Sequence, residues 1–154
     1  MQPNIIRRIV VTTDGSTHSI EAAKYAARLA AQLGARVTLL HVAPATDFPL
    51  GTTQLGADLP EPGPEDDIGL VKTVWEGAQA ILDDSISVFE QVGVSVDGMV
   101  QEGDAAEEIL QLLEDDSFDM VVMGRRGAGR SETELGATVS RVARMAKCPV
   151  LLVG

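Results

Sequence analysis

Two rhythms of apolar residues alternate along the chain. Ile5 to Thr13 reads Ile-Ile-Arg-Arg-Ile-Val-Val-Thr-Thr, the β-branched composition of a strand buried on both faces, and Asp14-Gly15-Ser16 breaks it. From Thr17 to Leu33 the apolar positions Ile20, Ala23, Ala27, Ala30 and Leu33 recur at a helical period. Ser16 or Thr17 can cap this helix, and Gly34 stops it. Ala35 to Val42 is a second strand, which completes a parallel strand–helix–strand unit with an expected right-handed crossover. Residues 44–65 hold five of the seven prolines, so neither helix nor strand can run far there. A loop this long is either a disordered insertion, the reading its acids and prolines favour, or a lid. Asp66 to Val92 is a long amphipathic helix anchored by Trp75 and ended by Gly93.

The second half repeats the alternation. Strand three is Val94 to Val100, followed by Gly103 and a helix from Ala105 to Leu113 with Asp104 as its cap and early carboxylates at its positive end. Strand four is Phe118 to Met123, a helix covers roughly Thr133 to Lys147, and strand five is Cys148 to Val153. The pattern predicts an α/β fold of a single domain, residues 1–154: an open, doubly wound, Rossmann-like parallel sheet of five strands in the order 3-2-1-4-5, with helices on both faces. The order reverses between strands one and four, where such sheets bind ligands at the carboxyl ends of the strands. Those ends are Thr12-Thr13-Asp14 and Met123-Gly124, with Val42 beside them. Strand five lies at an edge with an apolar face, so a homodimer through residues 148–153 is expected.

Composition narrows the function classes. With 3% aromatic residues the core must be Val, Ile, Leu, Ala and Met, and a net charge of −11 disfavours nucleic acid and anionic membranes as partners. No run of about 18 apolar residues and no charged-then-apolar leader is present, so a soluble, cytoplasmic protein is expected. The single Cys148, between Lys147 and Pro149, reads as a packed small hydrophobe and not a nucleophile.

Against that acidic background, residues 124–147 hold six of the twelve basic residues and only two acids, Glu132 and Glu134. Gly124-Arg125-Arg126-Gly127-Ala128-Gly129-Arg130-Ser131 follows a buried strand and precedes a helix. Glycines let backbone amides turn toward an anion, arginines supply charge, and the helix dipole adds to both. This predicts a phosphate site. Dipole pairing at a helix C-terminus accounts for Arg144 and Lys147 without any ligand, but not for the three arginines among the glycines.

Nearly the whole chain resembles the universal stress protein family. The resemblance rests on Val11-Thr12-Thr13-Asp14-Gly15-Ser16, Leu40-His41-Val42, Gly103-Asp104-Ala105-Ala106-Glu107-Glu108-Ile109-Leu110, Asp119 through Gly127, and Leu135-Gly136 through Val153. The family's ATP-binding branch carries Gly-x2-Gly-x9-Gly-(Ser/Thr). Here Gly124 and Gly127 keep the first pair, while eight residues separate Gly127 from Gly136, and Ala137 stands where a hydroxyl belongs, with Thr138 next to it. The resemblance implies that Asp14 faces the adenine and ribose, that Val42 lies against the base and bonds it through its backbone, and that Met123 packs nearby. It also implies that Arg126, Gly127, Arg130, Gly136, Ala137 and Thr138 line the phosphates, with Mg²⁺ or Mn²⁺ carried by them. For Asp14 the plain alternative is a turn residue. Three functions stay open: a regulatory protein that binds ATP, ADP or AMP, a dimeric stress-response interaction protein that has lost nucleotide, and an enzyme. The third finds no general base, since His18 and His41 sit in a helix and a strand, and no Gly-x4-Gly-Lys-(Ser/Thr) loop occurs, so slow ATP hydrolysis is the most it predicts.

Overall fold

Strand β1 (Arg8–Thr12) sends Ile9 and Val11 to one side of the sheet and Val10 to the other, and all three are fully buried. Such two-sided burial requires helices on both faces. The computed structural model describes residues 6–45, 53–54, 68–126 and 135–154. After β1 the order is α1 (Thr17–Leu33), β2 (Arg36–Ala43), β3 (Thr53–Gln54), α2 (Ile68–Glu90), β4 (Val96–Glu102), α3 (Ala105–Asp115), β5 (Met120–Gly124), α4 (Ala137–Met145) and β6 (Val150–Val153). The sheet order is β3-β4-β2-β1-β5-β6. All pairs are parallel except β3 with β4. The five long strands therefore take the expected 3-2-1-4-5 order, and a two-residue antiparallel strand from the proline-rich segment is added at the β4 edge. The remainder of that segment, and with it the choice between lid and disorder, lies outside the described residues.

Helices α1 and α2 cover one face and α3 and α4 the other. Helix α1 lies close to the sheet because its buried stripe, Ala22, Ala23, Ala26, Ala27 and Ala30, is made of alanine. Ser16 caps it by accepting from the Ser19 amide at 3.2 Å. Trp75, Ala78, Leu82 and Phe89 of α2 are buried in the same layer, as the anchoring role of Trp75 anticipates. Asp104 caps α3, its Oδ1 accepting from the Glu107 amide at 2.9 Å. Among the described residues no helix is long and apolar enough to cross a membrane.

Most element ends shift by one to four residues from the sequence reading, and two of these shifts have a clear backbone cause. Val94 does not begin a strand, because its amide donates back to the Phe89 carbonyl at 3.0 Å and closes the end of α2, so β4 starts at Val96. Helix α4 is shorter than Thr133–Lys147: Gly136 is extended (φ −61°, ψ 151°) before it and Ala146 (φ −66°, ψ 139°) after it. Cys148 packs half-buried against the α3/α4 layer, and burial pushes its thiol pKa up, as fits a hydrophobe and not a nucleophile.

Candidate functional site

At the carboxyl ends of β1 and β5 the two halves of the sheet part, and a crevice of about 370 Å³ opens there. Its volume lies at the lower end of the roughly 300–1,000 Å³ usual for small-molecule sites. Thr12 at the end of β1 and Thr13 and Asp14 just after it enter the crevice, as do Leu40 and Val42 from β2 and Met123 and Gly124 from β5. Ser19 of α1, Ala105 and Ile109 of α3, Arg126, and Gly136 through Val139 complete the wall.

Arg125 ties the end of β5 to β6 and to the start of α4. The Arg125 amide donates to the Val153 carbonyl at 3.0 Å, and the Arg125 carbonyl accepts from the Gly136 amide at 3.1 Å. These bonds set the first turn of α4 against the end of β5. Gly136 is the N-cap of α4 and makes no side-chain cap bond, so no side chain of that residue competes for the helix's early amides. Gly124 is required by contact: a Cβ there would sit 2.9 Å from both the carbonyl carbon and oxygen of His18. Only glycine lets the end of β5 approach the α1 backbone so closely.

Asp14 fulfils the plain turn role, its Oδ1 accepting from the Ser16 amide at 2.9 Å, and it also borders the crevice. A carboxylate has about four acceptor positions, so the turn bond does not exhaust it. Of the residues singled out from sequence, Thr12, Asp14, Val42, Met123, Gly124, Arg126, Gly136, Ala137 and Thr138 all border this one cavity. Gly127 and Arg130 lie outside the described residues.

Among the described residues the basic cluster does not gather at one place. Arg126 lines the crevice, whereas Arg141 turns to the start of α3 and pairs with Asp104 at 3.3 Å and Glu107 at 3.5 Å. Arg144 donates to the Ser140 carbonyl of its own helix at 3.3 Å. The count of six basic residues therefore overstates the charge near the cavity. Neither histidine lines it, and His41 is buried with Nδ1 2.8 Å from the Thr13 carbonyl oxygen. Among the described residues no group of three or more His, Cys, Asp or Glu is placed to hold a metal ion.

Thr13, named with the strand ends, borders the crevice too, and Ser19, Leu40, Ala105, Ile109 and Val139 do so without having been assigned to the site. Ala105 and Ile109 stand four apart on α3, so their common face was legible from the spacing. What that face covers is set by tertiary packing. A second hollow of about 360 Å³ lies between α3 and the opposite ends of the strands. There Arg8 grips Asp116 at 2.6 and 2.8 Å, donates to the Ser117 carbonyl at 3.1 Å and lies 4.7 Å over the Phe118 ring.

Residues 6–154 match the family model described as "Universal stress protein family". A universal stress protein of Methanocaldococcus jannaschii is 33% identical over 151 residues, covering 97% of this chain and 83% of that protein. Among solved structures, universal stress protein UspA from Lactobacillus plantarum superposes with a TM-score of 0.75 at 19% identity, covering 96% and 97% of the two chains. A universal stress protein in complex with cAMP gives 0.71 at 22% identity, covering 96% and 97%. Two further universal stress proteins, from Archaeoglobus fulgidus with dAMP and from Arabidopsis thaliana with AMP, each give 0.66 at 19% and 18% identity, covering 97% and 99%, and 96% and 90%, of the paired chains. At these identities the structural likeness is one of fold.

Proposed function

Because this chain belongs to the universal stress protein family, we propose that its crevice binds an adenine nucleotide, ATP or its shorter relatives ADP and AMP, and that the protein is a cytoplasmic stress-response regulator. The observation that carries this reading is the convergence of nine singled-out residues on one cavity at the switch point of the sheet. The donor set fits the ligand. Val42, Met123, Leu40 and Ile109 offer an apolar bed for a flat ring, and Asp14 an acceptor for ribose hydroxyls. Arg126, the first amides of α4 and the Thr138 hydroxyl offer donors to phosphate oxygens, and the helix dipole reinforces them. Fold neighbours solved with cAMP, dAMP and AMP support the choice of adenine. A divalent cation, Mg²⁺ or Mn²⁺, enters on the phosphates.

The role is binding and signalling, with hydrolysis at most slow, because the crevice offers Asp14 at the sugar end and no histidine as a general base. The half-buried edge strand β6 is the surface through which two copies pair. A second reading, a dimeric interaction protein without nucleotide, is favoured by the eight-residue spacing between Gly127 and Gly136 and by Ala137. Calorimetric titration of ATP into wild type and Arg126→Ala separates the two. Loss of a charged hydrogen bond, about 1.5–3 kcal/mol, weakens binding roughly 10- to 150-fold. Equal affinity removes Arg126 from the site, and absence of binding in wild type leaves the interaction protein.

A further inference from the structure

Thr13 directly follows β1 and precedes the turn that carries Asp14, and every polar atom it has is engaged. Its amide donates to the Leu40 carbonyl at 2.9 Å and extends the ladder one step past the strand. Its hydroxyl lies 3.2 Å from Ser19 Oγ of α1 and 3.0 Å from Ser85 Oγ of α2, and it receives the Gly15 amide at 3.3 Å. Its carbonyl lies 2.8 Å from His41 Nδ1. A carbonyl can only accept, so Nδ1 carries the proton and donates. The next backbone step is Asp14, whose Oδ1 holds the Ser16 amide and closes the turn. Thr13, Ser19, Ser85 and His41 are all buried, although they come from the end of β1 and from α1, α2 and β2.

We propose that His41 is a positioning residue for the crevice: by donating to the Thr13 carbonyl it fixes the turn that presents Asp14 to the ligand. This rests on the adenine-nucleotide reading above for its ligand, but not for its geometry. At Asp14 the chain leaves the sheet, so the Thr13 carbonyl has no strand partner ahead of it, and the imidazole supplies the donor that the ladder no longer provides. A site built on a locked backbone loses less freedom when ligand arrives, and that is how a group behind the wall raises affinity without touching the ligand.

The test is a double-mutant cycle read with AMP by calorimetry, on wild type, His41→Phe, Asp14→Ala and the double variant. His41→Phe keeps a ring and removes the N–H. Loss of one net hydrogen bond predicts roughly three- to tenfold weaker AMP binding in the Asp14 background and no further loss once Asp14 is gone. His41→Gln, which keeps an N–H donor, should recover part of the affinity. Ser85→Ala removes a smaller tie to the same Thr13 and serves if His41→Phe does not fold. Hydrogen exchange of the Ser16 amide reads the turn with no ligand present, and it should quicken in His41→Phe and in Ser85→Ala. Additive losses of affinity, or a lower melting temperature with unchanged Ser16 exchange, would overturn the assignment. If wild type binds no AMP, the nucleotide reading fails, and Ser16 exchange alone then decides the positioning role.

Discussion

Replacing Gly124 by alanine tests the geometry that builds the crevice. Gly124 ends β5, lies against the first turn of α1 and borders the cavity. An added Cβ would meet the His18 carbonyl carbon and oxygen at 2.9 Å and His18 Cβ at 3.1 Å. Carbon contacts are most favourable near 3.5–4.0 Å, so the closest approach is about 0.6 Å too short. Two of the three atoms are backbone and cannot swing aside, so β5 and α1 must part. Overpacking of this kind costs about 1–3 kcal/mol, which in a chain of this size lowers the melting temperature by about 2–12 °C. The same parting moves Met123 and Arg126 relative to Thr13 and Asp14, so AMP affinity should fall with stability. Gly34→Ala is the control: Gly34 has φ +66°, nothing lies within 4 Å of an added Cβ, and it is remote from the cavity. Its cost is conformational, about 1–2 kcal/mol, with AMP affinity unchanged. Paired thermal melts and AMP titrations read both. A Gly124→Ala variant as stable and as tight-binding as wild type would refute the argument that close approach at this position shapes the site.

Acid should unfold the protein partly through the start of β5. The Asp119 carboxylate accepts from the Arg7 and Arg8 amides at 2.8 and 2.9 Å, which hold its pKa below the usual carboxylate value, and the Arg8 guanidinium does the same for Asp116. A lowered folded pKa means stability that is present above the unfolded value near 3.9 and lost as pH falls through the folded one. Urea midpoints should therefore drop from about pH 5 downward, and Asp119→Ala should flatten that slope. A slope unchanged in the variant would show that other carboxylates control it. Arg141→Ala should change stability by less than about 1 kcal/mol, its pairs with Asp104 and Glu107 being surface ones, and leave AMP affinity intact. A large loss of affinity in that variant would place Arg141 at the ligand.

How much of this was legible in the sequence varies by element. The strands of the central sheet were, because Ile9-Val10-Val11 and Val121-Val122-Met123 are apolar at every position, which only two-sided burial explains. The switch point followed from their order. The start of β4 was missed because Val94, apolar and β-branched, is used to finish α2, a choice made by a backbone bond to Phe89 that composition does not encode. The start of α4 was missed because Gly136 is extended, which no periodicity reveals. Arg141 was grouped with the loop arginines by proximity in sequence, yet α4 carries it to the acids of α3. The Thr13 hub was out of reach entirely, since His41 and Ser85 come to it from elements 28 and 72 residues away. Local pattern fixes which faces are buried, and polar partners across elements depend on packing.

The central claim, an adenine-nucleotide site at the β1/β5 switch, is tested most directly by titrating AMP, ATP and GTP into the purified protein by calorimetry, with and without Mg²⁺. The account predicts micromolar binding of an adenine nucleotide, weaker binding of GTP, and loss of affinity in Arg126→Ala. No heat from any adenine nucleotide at millimolar concentration would contradict it.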